Sequence, residues 1–287
     1  MTEVNSQAGV LGEGDLVLLI DKKGRRHLIT LDQKGAFHSH AGVLPHTEII
    51  GHADGSLVST TLGQKLRVLK PTLSDYILSM KRGAQVIYPK DIGPILMLAD
   101  IGPGMKVFES GVGSGALSMG MLRTGAIITG YELREDFANR AIKNVTAYLG
   151  DEVLERYKVE LRSSYDGIDG TDFDRVVLDL PEPWQVIPHA AVALRPGGVF
   201  LAYTPAITQV MRVTDALHQH NFTEIETTEV LNRTWHVEGQ AVRPDHRMVA
   251  HTGFLTRARL QAPGQERPPV ATPTPEPEPE PTELEEP

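Results

Sequence analysis

The chain has 287 residues, 40% of them apolar and 23% charged, a composition that supports one large or two modest packed domains and excludes global disorder. It has no cysteine, which removes disulfide frameworks, thiolate-ligated zinc, iron–sulfur clusters and cysteine nucleophiles together. The formal charge of −9 argues against a nucleic-acid partner only at first sight: from Pro263 onward seven glutamates stand against one arginine, so the preceding chain carries only −3 and can present a local basic face.

No stretch approaches the ~18 apolar residues of a membrane span, and the opening MTEVNSQAGVLGEGD has neither a basic nor an apolar leader segment, so the expectation is a soluble, cytoplasmic protein without membrane contact. Residues 1–71 read as a small β-rich N-terminal domain of about five short strands. Within it Asp21-Lys22-Lys23-Gly24-Arg25-Arg26, between two apolar runs, predicts a β-hairpin with a basic tip. His38, His40, His46 and His52 cluster in this region, but without cysteine or acidic ligand spacing they are expected to be structural or RNA-contacting, and no metal is expected. A helix is predicted from Pro71 through Met80, and Lys81 to Asp91 reads as a linker.

Residues 72–262 then alternate strands and helices. Strands are expected at Lys106–Glu109, Ile127–Glu132, Val159–Arg162, Arg175–Asp179 and Val199–Tyr203, the last after a Pro196-Gly197-Gly198 turn. Helices are expected at Ser114–Thr124, Arg134–Leu149, Trp184–Leu194 and Ile207–His220. The second of these places Phe137, Ala138, Ala141, Ile142, Val145 and Leu149 on one face. Two strand-like stretches, Glu224–Leu231 and His251–Leu260, lack a helix between them and predict an antiparallel edge. The fold class is therefore α/β, a doubly wound, Rossmann-like sheet with ligands at the carboxyl ends of its strands. Residues 263–287, rich in Pro and Glu, are expected to be a disordered acidic tail.

Glu109-Ser110-Gly111-Val112-Gly113-Ser114-Gly115 lies where such a sheet holds a nucleotide. Glycines permit the tight turn and the close approach of backbone to ligand, and a helix N-terminus follows. Glu132 ends the next strand, 21 residues beyond Gly111, where a carboxylate can accept hydrogen bonds from both ribose hydroxyls of an adenosine. The same glycines fit the dinucleotide pattern, which keeps an NAD-dependent oxidoreductase as a competitor. Two features oppose it. Glu109 would be awkward beside a pyrophosphate but suits the cationic end of S-adenosylmethionine. Asp179-Leu180-Pro181-Glu182-Pro183-Trp184, at the end of the fourth strand, combines a carboxylate with a rigid turn and an aromatic ring. That combination suits a flat, amino-bearing base.

These residues resemble the tRNA (adenine-58-N1)-methyltransferases of bacterial type, members of the class I S-adenosylmethionine-dependent fold. The resemblance extends to about Leu260. It is carried by Gly35-Ala36-Phe37-His38-Ser39-His40 with Pro45-His46, by Tyr88-Pro89-Lys90-Asp91, by the glycine motif and Asp179–Trp184, and by Tyr203–Val210 and His251–Leu255. It implies methyl transfer from S-adenosyl-L-methionine to N1 of an adenosine in the T-loop of tRNA, by a homotetramer. It also implies Tyr88 as a second wall for the base beside Asp179, with Glu109 orienting the cofactor or active-site donors. The cofactor set is then Glu109, Ser110, Gly111, Val112, Gly113, Ser114, Gly115, Glu132, Ser164, Tyr165 and Asp179.

One departure stands out: relatives place an Asp where Tyr165 falls, so recognition of the cofactor's adenine passes to Asp166 or to backbone groups at Ser164 and Tyr165. Basic candidates for RNA are Lys22, Lys23, Arg25, Arg26, Lys81, Arg82, Lys90, Arg243, His246 and Arg247. A methyltransferase for a small molecule would not need the basic β-domain, and a catalytically silent RNA-binding subunit would be expected to lose the glycines or Asp179.

Overall fold

A computed structural model describes residues 9–80 and 85–264. Lys81 and Arg82, and the acidic tail beyond Gly264, lie outside the described residues. The chain opens with the expected hairpin, β1 (Leu16–Asp21) and β2 (Arg26–Thr30), paired antiparallel. Asp21 closes its tip: one carboxylate oxygen accepts from the amides of Lys23 at 2.8 Å and Arg25 at 3.0 Å, and the other from Arg25 Nε at 2.6 Å. β3 (Ala36–Ser39) and β4 (Gly42–Pro45) form a separate ribbon. β5 (Leu57–Ser59) and β6 (Lys65–Leu69) complete a four-stranded sheet of order β2-β1-β6-β5. There are thus six strands where about five were expected. Alternate residues of β1 and β6, Val17, Leu19, Leu66 and Val68, join Leu11, Leu31, Leu44, Ile49 and Val58 in a core of their own. His46 is structural: it is 7% exposed and its Nδ1 accepts from the Asp32 amide.

α1 (Leu73–Ser79) starts with a capping box, in which the Thr72 hydroxyl accepts from the Asp75 amide and Asp75 reaches back to the Thr72 amide. What reads as a linker is in part a second helix, α2 (Pro89–Leu98). Gly93 and Pro94 inside it disguise the pattern, since both act as helix breakers elsewhere. Pro89 in the first turn supplies a preset φ that favours the start.

The sheet that follows comprises β7 (Lys106–Ser110), β8 (Ile127–Glu132), β9 (Tyr157–Leu161), β10 (Phe173–Leu178), β11 (Leu194–Thr204), β12 (Phe222–Glu229) and, after a small hairpin β13 (Trp235–Glu238) and β14 (Ala241–Pro244), β15 (Phe254–Leu260). Its order is β12-β15-β11-β10-β7-β8-β9. The five strands from β11 to β9 are parallel, and β15 runs antiparallel between β11 and β12. The antiparallel pairing of the last two strands agrees with expectation, but β15 is inserted into the sheet and β12 takes the edge.

Helices α3 (Ala116–Arg123), α4 (Glu135–Leu149), α5 (Ile187–Ala193) and α6 (Ile207–Gln219) connect the strands. One core around Val107, Met119, Val145, Val177 and Leu201 covers one face, and another around Phe108, Val176, Ile187, Phe200 and Val213 covers the other. The expected helix from Trp184 is split into a 3-10 turn, Pro183–Gln185, and α5, because Pro188 sets a new first turn. Pro196-Gly197-Gly198 lies inside the long strand β11, where pairing with β10 jumps from Phe173↔Leu194 to Arg175↔Val199. Among the described residues no helix is long and apolar enough to cross a membrane.

Candidate active site

Strand order reverses between β7 and β10: the chain leaves β7 toward β8 on one side and returns to β10 on the other. Connections diverge there and open a crevice at the carboxyl ends of the strands. A cavity of about 740 Å³ occupies it, lined by Val86, Ile87, Gly111, Gly113, Glu132, Phe137, Asp179, Tyr203 and Thr252. The size matches the ~300–1,000 Å³ of sites that hold drug-sized molecules and cofactors.

The glycine turn is built around its contact with the end of β10. Gly111 has φ +84°, and a Cβ on it would lie 2.0 Å from the carbonyl oxygen of Asp179, so glycine alone lets the two strand ends meet. The Asp179 amide donates to the Ser110 carbonyl at 2.9 Å and fixes that crossing. Gly115, at φ +80°, is the N-cap of α3, and a Cβ there would press on Val145 Cγ2 at 3.0 Å and the Ala141 carbonyl at 3.2 Å. Its role is to let α3 pack on α4. Val112 and Ser114 line a narrow recess that shares Gly111, Gly113 and Asp179 with the main cavity.

Glu132 is 9% exposed at the end of β8. Its oxygens accept from the Gly113 amide at 2.9 Å and the Arg134 amide at 3.0 Å. These bonds hold the carboxylate at the cavity wall, and a carboxylate retains lone pairs for two hydroxyls of a bound sugar. Asp179 is half-buried on the same cavity, and desolvation together with the nearby charge of Glu132 pushes its pKa up to about 7.

Glu109 stands behind the turn and is not on the cavity wall. It is 2% exposed, and its Oε2 accepts from the Ser118 hydroxyl at 2.7 Å, whose oxygen in turn accepts from Tyr157 OH at 3.1 Å. Desolvation, reinforced by Asp179 and Glu132, pushes its pKa up to about 8 against the opposing Ser118 bond.

Five further expected residues are placed away from the wall. Ser110 and Ser164 are both buried and share a 2.8 Å hydroxyl bond that ties β7 to the loop after β9. Tyr165 turns from the cavity toward the Pro181-Glu182-Pro183 loop, where its hydroxyl accepts from the Glu182 amide at 3.3 Å. Asp166 is exposed at the end of a 3-10 turn, Ser164–Asp166. Tyr88 caps α2 and lines a neighbouring cavity of about 290 Å³ with Lys90, Asn232 and Arg247.

Residues to which the sequence assigned no role surround the other half of the pocket. Tyr203 is 7% exposed on its wall, with its hydroxyl donating to the Thr252 carbonyl at 2.5 Å, and burial pushes its pKa up to about 12. A Cβ on Gly253 would fall 2.5 Å from the Tyr203 ring. The Thr252 hydroxyl donates at 2.7 Å to Asp91, which is fully buried and also accepts from Lys90 Nζ at 2.7 Å. Lys90 Nζ donates as well to the Val230 carbonyl at 2.7 Å, and its side chain is 7% exposed. The expectation that Lys90 meets RNA is thus corrected: its ammonium is spent inside the protein. His251 joins Glu229 at 2.6 Å to the Pro205 carbonyl at 2.8 Å. Tyr-Pro-Lys-Asp and His-Thr-Gly are therefore two halves of one clamp that joins α2, β11, β12 and β15. At the hairpin tip Arg25 and Arg26 are paired to Asp21 and Asp75, while Lys22 and Lys23 carry no ion pair among the described residues.

Comparison with known proteins agrees with this geometry. Residues 65–248 match the family described as the tRNA methyltransferase complex GCD14 subunit, and residues 9–58 match the TrmI-like N-terminal family. The tRNA (adenine(58)-N(1))-methyltransferase TrmI of Thermus thermophilus is 37% identical over 246 residues, 85% of this chain and 96% of that protein. A Methanocaldococcus jannaschii relative, named for adenines 57 and 58, is 32% identical over 85% of this chain and 94% of its own length. Among solved structures, TrmI from Aquifex aeolicus superposes with a TM-score of 0.76 at 27% identity, covering 87% of this chain and 98% of that one. A Thermotoga maritima protein described as a SAM-dependent O-methyltransferase superposes with a TM-score of 0.86 at 33% identity, covering 93% of this chain and 100% of that one. With the glycine turn under Asp179, Glu132 at the second strand and an inserted antiparallel β15, the chain belongs to the TrmI family of tRNA (adenine-58-N1)-methyltransferases.

Proposed function

We propose that the protein methylates N1 of adenosine 58 in the T-loop of tRNA with S-adenosylmethionine as methyl donor. The observation that carries the reading is one cavity whose lining brings together Asp179, Glu132, Gly111 and Gly113. The donor set fits a cationic adenosine cofactor: two wall carboxyls, a buried third behind them, the glycine turn at Gly111 and Gly113, and the aromatic ring of Phe137. Glu132 would hold the ribose hydroxyls, and the backbone from Gly111 to Gly113 would lie along the methionine-bearing side. The Tyr165 hydroxyl is already engaged with the Glu182 amide, and the Tyr165 amide and carbonyl with Ser163 Oγ and His189 Nε2, so reading of the cofactor's adenine would rest on the Ser164 backbone or on Asp166. When bound, S-adenosylmethionine supplies a methyl group on a positively charged sulfur.

Adenine N1 has a lone pair and no proton, so the protein need not remove one before attack. What the protein must do is accept the base out of its stack, aim N1, and stabilise the positive charge that grows on the ring. Asp179 can accept from the exocyclic amine, which raises electron density at N1, and its carboxylate then faces the cationic product. Tyr203 and Tyr88 are the two aromatic candidates for the walls of the base half of the site, the first on the main cavity and the second beside it. O-methylation, the description attached to the Thermotoga structure, would instead require a base to take a hydroxyl proton.

The same reading extends to residues 1–71 as an RNA-facing β-domain beside a catalytic domain of residues 72–262, to activity in the cytoplasm, and to a homotetramer. Apolar side chains left bare about the β13–β14 hairpin, Leu231 at 59%, Trp235 at 57%, Val237 at 69% and Val242 at 58% exposure, support contact between copies. The decisive experiment is transfer of labelled methyl to an unmodified tRNA transcript beside one with guanine at position 58. Label on the first alone, recovered as 1-methyladenosine, supports the reading. Equal label on both refutes the position, and no label with cofactor still bound points to another acceptor.

A further inference from the structure

Away from the methyl-transfer cavity, the N-terminal β-sheet carries a second recess of about 190 Å³, lined by Arg25, His27, Phe37, His38, His40 and Gln64 among others. It shares no residue with the cavity at the switch point. The volume lies below the ~300–1,000 Å³ of sites for drug-sized ligands, which suits a single flat ring system. The lining has the matching chemistry. The His27 and Phe37 rings lie 5.0 Å apart and tilted by 50°, and His27, His38 and His40 are exposed while Phe37 is half-buried. Gln64 is among the lining residues, and its buried Oε1 has no hydrogen-bond partner among the described residues. Beside the recess stands the β1–β2 tip, where Asp21 orients Arg25, and Lys22 and Lys23 are exposed without an ion pair among the described residues.

We infer that this recess is a second RNA subsite, which receives one unstacked nucleobase of the substrate while Lys22 and Lys23 neutralise the adjoining phosphates. The inference rests on RNA being the substrate, as proposed above, and goes beyond it by naming where a nucleotide other than the methylated one is gripped. Each part follows from the surfaces that RNA offers. Unstacked bases are held by aromatic and imidazole faces with a polar group at the edge, and phosphates by exposed lysines. A merely solvated charged face would have neither the ring pair nor the cavity. The arrangement also gives the β-domain a specific role, because fixing the RNA at a second point lets the catalytic cavity select one adenosine.

The test uses the full chain with His27→Ala and His40→Ala combined, Phe37→Leu alone, and Lys22→Ala with Lys23→Ala combined. Binding to an unmodified tRNA transcript is measured across a salt series, alongside kcat, the KM for tRNA and the KM for S-adenosylmethionine. Loss of one stacked base weakens binding about 5- to 150-fold. The histidine pair and Phe37→Leu are each expected to raise the tRNA Kd and KM within that range. Saturating kcat, the cofactor KM and the slope of binding against salt should stay unchanged. The lysine pair should lower the salt slope by about 2. A scan of abasic sites along the tRNA should find one nucleotide, other than the target, whose removal costs wild-type protein the same factor and costs the histidine variant nothing further. Wild-type affinity in both ring variants overturns the subsite, as does a loss that is additive with every abasic position. Absence of tRNA methylation by the wild-type protein would instead refute the proposed function, so the two failures are distinguishable.

Discussion

Replacing Gly111 by alanine tests the central joint of the site. The new Cβ would sit 2.0 Å from the Asp179 carbonyl oxygen and 2.8 Å from its carbon, and neither atom belongs to a flexible side chain. Real Cβ atoms essentially never come within 3.0 Å of such a neighbour, so the strand end must move by about 1 Å. That overpacking costs about 1–3 kcal/mol, and the left-handed backbone at φ +84° adds roughly 1–2 kcal/mol for any residue with a Cβ. The total, ~2–5 kcal/mol, should lower the melting temperature by more than about 4 °C in a protein of this size. The functional effect should be larger, because the displaced atoms belong to the residue proposed to aim the base, and a misplacement of about 1 Å can cost on the order of 100-fold in rate. Single-turnover methylation of a tRNA transcript with saturating cofactor measures it. Gly113→Ala is the control: its φ is +57°, but a Cβ there would meet only the Gly111 carbonyl, at 3.9 Å. It should lose less than half as much stability and should weaken cofactor binding. A Gly111→Ala protein with an unshifted melting temperature and a rate within threefold of wild type would refute the assignment of Gly111 as the joint between the two strand ends.

Three other outcomes follow from the same geometry. Asp179→Ala should lower kcat by about 100- to 1,000-fold, as for loss of one oriented electrostatic partner, while cofactor affinity by calorimetry stays within a few fold; a parallel collapse of affinity would overturn the role given to Asp179. Lys90→Met leaves the fully buried Asp91 carboxylate with only the Thr252 hydroxyl among the described residues, and should destabilise by about 3–5 kcal/mol in urea melts; a loss below about 1 kcal/mol would show that the clamp is not a structural tie. The third concerns pH. Asp179 and Glu109 have folded pKa values raised to about 7 and about 8, so the folded state binds more protons than the unfolded one between roughly pH 4 and 8, and these two groups make stability fall as pH rises through that window. A cationic ligand favours their ionised forms, so S-adenosylmethionine binding should release protons near pH 7 and tighten from pH 6 to pH 8. The uncharged thioether product should show less of both, and equal proton release in calorimetry for the two ligands would refute the link.

Much of the fold was legible because local signals and global topology agree. Alternating apolar runs marked β7, β8 and β10, the 3.6-residue spacing of Ala138, Ala141 and Val145 marked α4, and glycines before a helix marked the turn. Reading failed where one residue serves two levels at once. Gly93 and Pro94 hide α2, yet that helix carries Asp91 into the interior. Pro196-Gly197-Gly198 has turn chemistry but forms an irregularity inside β11. Gly239, at φ +55°, is the turn signal that could have revealed β13 and β14. On the cavity wall, the placement of Gly111, Gly113, Glu132 and Asp179 was legible because each stands at or just beyond a strand end whose position topology dictates. Tyr203, Gln209 and Thr252 belong to motifs whose role the sequence does not disclose, since only the tertiary structure brings β11 and the loop before β15 to the same wall.

The three carboxyl groups at the switch point also explain why so acidic a pocket persists in a protein that must meet a polyanion. Two carboxyls raised to about 7 and about 8, Asp179 on the wall and Glu109 behind it, carry less negative charge at neutral pH than ordinary carboxylates, so the pocket presents less charge to approaching phosphates than its composition implies. Entry of a cation would reverse that balance: desolvation still penalises each carboxylate, but the opposite charge now favours ionisation. In the proposed reaction the methylated base leaves as a cation and the donor's sulfur becomes neutral, so one positive charge stays in the site through the transfer and moves from the cofactor half toward the base half, where Asp179 is proposed to meet it. Glu132, tied by the Gly113 and Arg134 amides, stays fixed on the cofactor side. Asp179 is tied through its backbone to Ser110, and its carboxyl accepts no hydrogen bond among the described residues. The division of labour proposed for these two acids therefore follows their hydrogen bonds: Glu132, whose oxygens accept from backbone amides, is the proposed holder, and Asp179, whose carboxyl has no such bond among the described residues, is the one proposed to meet the charge that moves.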